Sequence, residues 1–189
     1  MIKNVNLYGS GLKKVGIDYS MSSPAICLSY NEDVSWSTCK IFYLTDKNKY
    51  LGHFAEDKIM GQSQQQRFHA LSNWIMVHLN LDNSVKVYLE DYSFGSKGRV
   101  FNIAENTGIL KYNLYLQGNP IILLPPSIIK KYATGKGNAD KELMYEAFYN
   151  ETKIDLQNIL NSSISNPLTD IVDAYFICKY GKQYEQEQN

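Results

Sequence analysis

Apolar and polar residues alternate in three short segments near the beginning of the sequence, as they do in β-strands that bury one face. These segments are residues 13–20, 25–31 and 34–45. The turn-forming stretches "MSSP" and "NED" separate them, and the third segment is also rich in β-branched and aromatic side chains. The pattern therefore predicts three consecutive strands joined by tight turns.

The spacing of apolar residues changes to that of a helix after a polar stretch at residues 46–61, which we interpret as a loop. Phe68, Leu71, Ile75 and Leu79 recur at intervals of three and four residues, so they share one face of a helix predicted at 62–80. Further strands are predicted at 85–91 and 121–125, and further helices at 100–117, 125–134, 135–151 and 166–181.

Polar residues mark the predicted starts of the last two helices. Asn138 is a plausible N-cap for the helix that carries Leu143 and Ala147. Asn166 is the predicted N-cap of the final helix, with Pro167 in its first position. The polar segment at 182–189 is expected to be a disordered tail.

The order of elements is three strands, a helix, a strand, a helix, a strand and then helices. A three-strand meander followed by parallel βαβ strands predicts an α/β fold, with a mixed five-stranded sheet and helices on both faces. With 189 residues, of which 44% are hydrophobic, the chain can form one well-packed core. We therefore predict a single domain over residues 1–189.

Composition argues against a membrane-spanning, an exported or a zinc-binding protein. No run approaches the roughly 18 apolar residues that cross a membrane, and the first residues lack the apolar region of an export signal. Neither the cysteines nor the histidines have the spacing of a disulfide framework or a zinc site. They are Cys27, Cys39, Cys178, His53, His69 and His78. We expect a protein of the reducing cytoplasm.

Positive charge is concentrated in residues 94–141, although the formal net charge of the chain is zero. This region has seven basic and two acidic residues, which leaves an excess of five positive charges. The basic residues are Lys97, Arg99, Lys111, Lys130, Lys131, Lys136 and Lys141. Such an excess is compatible with a polyanionic partner, and equally with an ordinary solvated surface.

Two acids occur in the otherwise apolar final helix. Asp170 and Asp173 are three residues apart, so their Cβ atoms lie about 5–6 Å from each other. Unpaired carboxylates at that separation repel each other, and partial burial increases the cost. One interpretation is that Asp170 complements the positive end of the helix dipole while Asp173 faces water.

Two further acids stand at the ends of predicted strands, where such residues are disfavoured. Asp18 ends "VGID" and Glu90 ends "VYLE", whereas Asp91 should point to the opposite face from Glu90. Either acid alone is compatible with an ordinary turn residue. Together with the helical pair they predict convergence on one place, because α/β folds put their chemistry at strand ends and helix N-termini.

Four carboxylates around one point require cations to balance their charge. Oxygen ligands in that number, without histidine or cysteine, select Mg²⁺ or Mn²⁺. Two such ions about 3.5–4 Å apart would hold the attacking water and the leaving oxygen of a phosphodiester. The pattern thus predicts a two-metal site formed by Asp18, Glu90, Asp170 and Asp173.

Four blocks of the sequence resemble, in the same order, the motifs of RuvC-type Holliday junction resolvases in the ribonuclease H-like superfamily. The blocks are "GIDYS", "YLEDYSF", "PPSIIKKYATGKGNADKE" and "NPLTDIVDAYFICKYG", and the likeness leans toward the bacteriophage branch. The resemblance implies a ribonuclease H-like nuclease that acts as a homodimer on four-way junctions and other branched DNA. It further implies two Mg²⁺ ions per active site, with Mn²⁺ as a substitute, and a cytoplasmic location, in the host if a phage encodes it.

The resemblance also implies roles for individual residues. The metal-binding acids of the family match Asp18, Glu90, Asp170 and Asp173, its catalytic lysine matches Lys141, and a further lysine matches Lys130 or Lys131. An aromatic residue that stacks on unpaired bases at the crossover matches Phe94, with Tyr92 as the alternative.

In that setting, two Gly-containing loops offer basic residues to the DNA backbone. Lys97 and Arg99 lie in "FGSKGR", and Lys136 lies in "TGKGN". From the residues alone, both segments could be plain surface loops, Lys141 a surface lysine and Phe94 a core residue.

Two other functions stay open at this point. "GIDYS" would also suit the first strand of an actin-like ATPase, but the chain is short and lacks further glycine-rich phosphate hairpins. A junction-binding module without activity is the second alternative, although the four acids and Lys141 are all retained.

Overall fold

The computed structural model describes residues 11–45, 63–79, 83–91 and 100–188. Its strands are β1 (Lys14–Asp18), β2 (Ala25–Ser29), β3 (Cys39–Tyr43), β4 (Lys86–Glu90) and β5 (Ile121–Leu124). Its helices are α1 (Gln64–Leu79), α2 (Val100–Gln117), α3 (Pro126–Thr134), α4 (Lys141–Thr152), α5 (Leu156–Leu160) and α6 (Leu168–Gln188). Within these ranges, none of the helices combines the length and the apolar character required to span a bilayer.

The five strands form one mixed sheet in the order β3-β2-β1-β4-β5. Strands β1, β2 and β3 pair antiparallel, whereas β4 pairs parallel with both β1 and β5. The predicted meander and parallel strands are confirmed. In the register of β1 and β4, Ile17 lies opposite Leu89, so the next residue of each strand ends it at the same edge of the sheet.

Helices cover both faces of the sheet, as predicted. Side chains such as Ile17 and Leu89 point into an apolar layer shared with α1 and α2. The alternate positions, such as Tyr88, point into a second layer formed with α3 to α6. Because side chains alternate along a strand, every even-numbered residue of β1 and β4 faces this second layer.

Helix α6 lies directly on the sheet because two glycines leave room for it. A Cβ atom added at Gly16 of β1 would lie 2.3 Å from the backbone nitrogen of Cys178 and 2.6 Å from the carbonyl oxygen of Ala174. A Cβ atom added at Gly181 of α6 would lie 2.4 Å from the ring of Tyr88. These contacts fix the position of α6 across β1 and β4.

The starts of β3 and α4 differ from those predicted. β3 begins only at Cys39, because Trp36–Thr38 forms a 3₁₀ turn in which Ser35 and Thr38 cap each other. Asn138 is not the cap of α4, which was a wrong prediction. Asp140 caps this helix instead, since its carboxylate accepts a hydrogen bond of 2.9 Å from the Leu143 amide.

The final helix also differs at both ends. It begins at Leu168, one residue after the Pro167 expected in its first position, and it continues to Gln188 through the segment expected to be disordered. The extension makes local contacts of its own. The Tyr184 ring packs on the Tyr180 ring, and the Tyr180 hydroxyl donates a hydrogen bond to Glu187.

Candidate active site

Two acids reach the same face of the sheet from neighbouring strands. Asp18 is the last residue of β1 and Glu90 the last residue of β4. Both are even-numbered positions, so both side chains point toward the layer under α6. Asp91, the next residue, is also among those that line the cleft, and its amide donates a hydrogen bond of 3.0 Å to the Leu124 carbonyl oxygen of β5.

The other two acids come from the first turns of α6. Asp170 is buried and Asp173 is half-buried, and their three-residue spacing puts them on one side of the helix. Since α6 crosses β1 at Gly16, its N-terminal turns lie over the ends of β1 and β4. The interpretation in which Asp173 simply faces water does not hold.

The four carboxyl groups act on each other electrostatically. Burial raises the pKa of Asp18 well above its usual range, and the negative charges of Asp170, Glu90 and Asp173 raise that pKa further. Burial raises the pKa of Asp173 to about 8, to which Glu90 and Asp170 also contribute. Burial raises the pKa of Glu90 to about 7 against the opposing effect of Lys130. The predicted convergence of the four acids is therefore present in the structure.

Two lysines supply the positive charge nearest to these acids. Lys130 of α3 lowers the pKa of both Glu90 and Asp173, and Lys141 at the start of α4 lowers that of Asp173. Both lysines line the same cleft. Lys131 is exposed and Lys136 lies exposed in the turn before α4, and neither is among the residues that line the cleft. Of the two alternatives, Lys130 is the one that faces the acids.

Three of the acids and both lysines line one cleft of about 520 Å³, whereas Asp170 is not among the residues that line it. One part of its wall is charged, with Asp140 at the N-terminus of α4 as a further acid. The rest is a mixture of hydroxyl-bearing and apolar side chains, and the apolar ones include Val100 and Ile103 of α2 and Met144 of α4.

Comparison with known proteins finds similarity to RuvC proteins. Crossover junction endodeoxyribonuclease RuvC from Synechococcus sp. (strain CC9311) is 26% identical over 95 residues. That match covers 50% of this chain and 59% of the cyanobacterial protein. No protein-family model matches the chain.

Two solved structures of Thermus thermophilus RuvC are similar over nearly the whole chain. One shows RuvC alone, with 13% identity, a TM-score of 0.58 and coverage of 90% of this chain and 96% of that one. The other shows RuvC with a Holliday junction substrate, with 13% identity, a TM-score of 0.62 and coverage of 94% and 97%. The chain has the RuvC fold. The likeness stated from four sequence blocks is thus confirmed in sequence and in fold.

Four residues predicted to contact DNA lie outside the described part of this RuvC-like chain. They are Tyr92, Phe94, Lys97 and Arg99. The described residues on either side, Asp91 and Val100, both line the cleft. The choice between Tyr92 and Phe94 therefore stays a prediction.

Sequence reasoning missed two polar side chains that hold Asp170. The hydroxyl of Ser23, in the turn between β1 and β2, donates a hydrogen bond to Asp170 Oδ2. The amide of Asn166 donates a hydrogen bond of 3.1 Å to Asp170 Oδ1. The polar "MSSP" turn and the Asn-Pro pair were visible in the sequence, but they were interpreted only as a turn and a helix cap.

The four carboxylates are donors that suit hard divalent cations, although their side chains are not already arranged around a metal position. As they lie, no three acidic, histidine or cysteine side chains in the described ranges form a group that could hold a metal ion. The four carboxylates nevertheless lie close enough to act on each other's charge, with no histidine or cysteine among them. Mg²⁺ and Mn²⁺ prefer oxygen ligands of this kind. Ligation would require rotation of side chains.

Proposed function

We propose that this protein is a divalent-metal-dependent endonuclease that cuts four-way DNA junctions and other branched DNA. The observation that carries the proposal is that Asp18, Glu90 and Asp173 line one cleft, while the buried Asp170 is close enough for its charge to act on all three. The cyanobacterial relative is named a crossover junction endodeoxyribonuclease. One of the structures with the same fold contains a Holliday junction substrate.

The four acids would hold two Mg²⁺ ions, or Mn²⁺ in their place. When bound, such ions lower the pKa of a water molecule and stabilise the leaving oxygen of a phosphodiester. The raised pKa values of Glu90 and Asp173 support this role, because cations would relieve the repulsion that now favours protonation. Without cations, part of the cluster stays protonated near neutral pH.

The two lysines would act on the scissile phosphate. Lys130 of α3 and Lys141 of α4 line the same cleft as the strand-end acids. A fixed ammonium group there would stabilise the charge that develops on the phosphate in the transition state. Lys136, exposed in the turn before α4, would contact the DNA backbone farther along.

We also propose that the protein acts as a homodimer through α2. Four large side chains of this helix are exposed by 61–79%, namely Phe101, Tyr112, Tyr115 and Leu116. With Gly108, whose added Cβ would contact nothing within 4 Å, they form one stripe of the helix surface. A stripe of this kind, flat at its glycine, suits packing against its own copy. A two-fold dimer also matches the two-fold symmetry of a four-way junction with two cuts.

The test of the nuclease proposal uses a synthetic four-way junction with Mg²⁺. We expect paired, symmetric nicks from the wild-type protein, loss of nicking in Asp18→Asn, and normal nicking in the exposed control Asp33→Asn. Junction binding without nicks by the wild-type protein would instead indicate an inactive binding module. Turnover of ATP, with no effect on DNA, would indicate an actin-like ATPase.

The test of the dimer proposal is the molecular mass in solution by light scattering. Tyr115→Glu should produce a monomer, because it puts a charge in the apolar stripe. Tyr149→Glu on α4, where the native side chain is 43% exposed, should leave the dimer intact. A wild-type monomer at micromolar concentration, or a dimer that tolerates Tyr115→Glu, would contradict the proposal.

A further inference from the structure

The Asn166 side chain connects one of the acids to one of the lysines. Its Nδ2 atom donates hydrogen bonds of 3.1 Å to Asp170 Oδ1 and 3.1 Å to the Ser23 hydroxyl. Its Oδ1 atom accepts hydrogen bonds of 3.2 Å from Lys141 Nζ and 3.0 Å from the Thr169 hydroxyl. An amide side chain has two donor and two acceptor positions, so these four bonds use its full capacity.

The orientation of this amide is determined by its partners. With nitrogen and oxygen exchanged, the amide nitrogen would face the Lys141 ammonium group, and two donors would oppose each other. The amide oxygen would at the same time face the Asp170 carboxylate, and two acceptors would oppose each other. Only a neutral group with a donor on one side and an acceptor on the other can bridge a carboxylate and an ammonium in this way.

Ser23 closes a ring of hydrogen bonds around the Asp170 carboxylate. Its hydroxyl accepts from Asn166 and donates to Asp170 Oδ2, while Asn166 donates to Asp170 Oδ1. Both Ser23 and Asp170 are almost fully buried, at 3% and 5% exposure. The ring therefore joins the turn after β1 to the first turn of α6 at the place where the acids meet.

We propose that Asn166 and Ser23 are positioning residues of the nuclease site. The inference rests on the proposed function, because it concerns how that site holds its metal ions and its lysine. The two donors hold the Asp170 carboxylate in one orientation among three other acids, and the Asn166 oxygen holds the long Lys141 side chain beside it. Asn166 contacts both Asp170 and Lys141, whereas Ser23 contacts only the Asp170 carboxylate of the two.

This difference gives the two residues separable effects. Ser23→Ala removes one donor to Asp170 and leaves the Lys141 contact in place, so it should weaken metal binding alone. Asn166→Ala removes the other donor and also releases Lys141, so it should weaken metal binding and slow cleavage even when metal is saturating. Residues that orient metal ligands typically change metal affinity by about 10–100-fold when they are removed.

The experiment measures two quantities on the full-length protein. The dissociation constant for Mn²⁺ is determined by calorimetry without DNA, and single-turnover cleavage of a four-way junction is measured at saturating Mn²⁺. We expect a weaker dissociation constant by about 10-fold or more in both variants. The cleavage rate should stay within about 3-fold of wild type in Ser23→Ala and fall by a further 10-fold or more in Asn166→Ala, as expected when a group that contacts the transition state is misplaced. The exposed control Asn150→Ala should change neither.

The double variant provides the most specific readout. Because the ring acts as one unit, Ser23→Ala and Asn166→Ala together should weaken Mn²⁺ binding no more than the larger single change. A dissociation constant within 2-fold of wild type in a folded Asn166→Ala protein would overturn the inference. Independent, multiplying effects of the two changes would overturn it as well. If Asn166→Ala does not fold, the Mn²⁺ affinity of Ser23→Ala tests the inference by itself, because this change removes only one hydroxyl group.

The outcomes also separate this inference from the proposed function. A wild-type protein that binds Mn²⁺ but does not cut the junction would refute the nuclease, while the calorimetry would still decide whether the ring positions Asp170. A wild-type protein that binds no Mn²⁺ would refute both proposals. Normal cleavage with unchanged Mn²⁺ affinity in the variants would refute the positioning role only.

Discussion

Replacing Glu90 with glutamine should stabilise the metal-free protein. Burial and the charge of Asp170 raise the pKa of Glu90, despite Lys130, from 4.5 to about 7. A raised pKa means that the ionised form is less favourable in the folded state than in the unfolded state. Glutamine has nearly the same shape without the charge, so the variant lacks this cost.

The magnitude follows from the size of the pKa shift. The difference between 7 and 4.5 is about 2.5 units, and at about 1.4 kcal/mol per unit it corresponds to about 3 kcal/mol. The neighbouring acids share part of this cost, because they titrate together with Glu90. We therefore expect a gain of about 2 kcal/mol in the free energy of unfolding, or roughly 4–8 °C in Tm for a chain of this length.

The dependence on pH has a definite sign. Above pH 7 the carboxyl group is ionised in both states, so the full cost is present and the variant has its full advantage. As the pH falls from 7 toward 4.5, the folded protein takes up the proton first and the advantage decreases. Below 4.5 both states are protonated and the advantage disappears.

Thermal unfolding in EDTA at pH 8 and at pH 4 measures the gain in stability of Glu90→Gln and its dependence on pH. Glu146→Gln on α4, where the native side chain is exposed, is the matched control and should change the free energy of unfolding by less than about 0.5 kcal/mol. A Glu90→Gln protein that is no more stable than wild type at pH 8 would refute the electrostatic reasoning. The same gain at both pH values would also refute it.

Three further predictions concern the metal, the lysines and the helix–sheet contact. Mn²⁺ should raise the Tm of the wild-type protein more at pH 8 than at pH 6, because the acids with pKa values of about 7 and 8 must lose protons to bind it; equal shifts would contradict this. Lys130→Ala should slow single-turnover junction cleavage by about 100-fold, whereas Lys131→Ala should stay within about 3-fold. Gly16→Ala should lower the free energy of unfolding in urea by about 3 kcal/mol or more, because its Cβ would meet the Cys178 backbone at 2.3 Å.

The positions of the four acids could be predicted from the sequence because they depend on local periodicity. Side chains alternate along a strand, so the ends of β1 and β4 indicated the face of Asp18 and Glu90 without further information. The three-residue spacing of Asp170 and Asp173 fixed their common side of a helix in the same way. The parallel pairing of the two strands then brings both sets to one edge of the sheet.

The choice between Lys130 and Lys131 could not be made from the sequence. Adjacent residues of a helix point about 100° apart, so the choice depends on which side of α3 packs on the rest of the protein. Ile129 is the buried residue of this helix, and its packing directs Lys130 toward Glu90 and Asp173. That contact joins residues that are far apart in the chain, so a local sequence pattern cannot predict it.

The roles of Ser23 and Asn166 were hidden for the same reason. Their hydrogen bond joins residues 143 positions apart, and that of Ser23 to Asp170 joins residues 147 positions apart. The position of Asn166 before the final helix predicts a helix cap, whereas its side chain bonds to Asp170 and Lys141. By contrast, the Ser35–Thr38 pair that shortens β3 is a local signal, since a serine followed three residues later by a hydrogen-bonding side chain is typical of a capped turn.

The site is built on the most strongly packed helix of the described chain, and this explains how the fold tolerates its cost. The residues of α6 that follow Asp170 include five large, almost fully buried apolar side chains: Ile171, Val172, Tyr175, Phe176 and Ile177. Burial of each such side chain contributes roughly 1.5–3 kcal/mol before conformational entropy is subtracted. These side chains anchor α6 to the sheet beside the acids, where ionised Glu90 costs about 3 kcal/mol. The contact at Gly16 leaves α6 little freedom to shift, and the repulsion is therefore relieved by protons in the free protein and, in the function we propose, by metal ions.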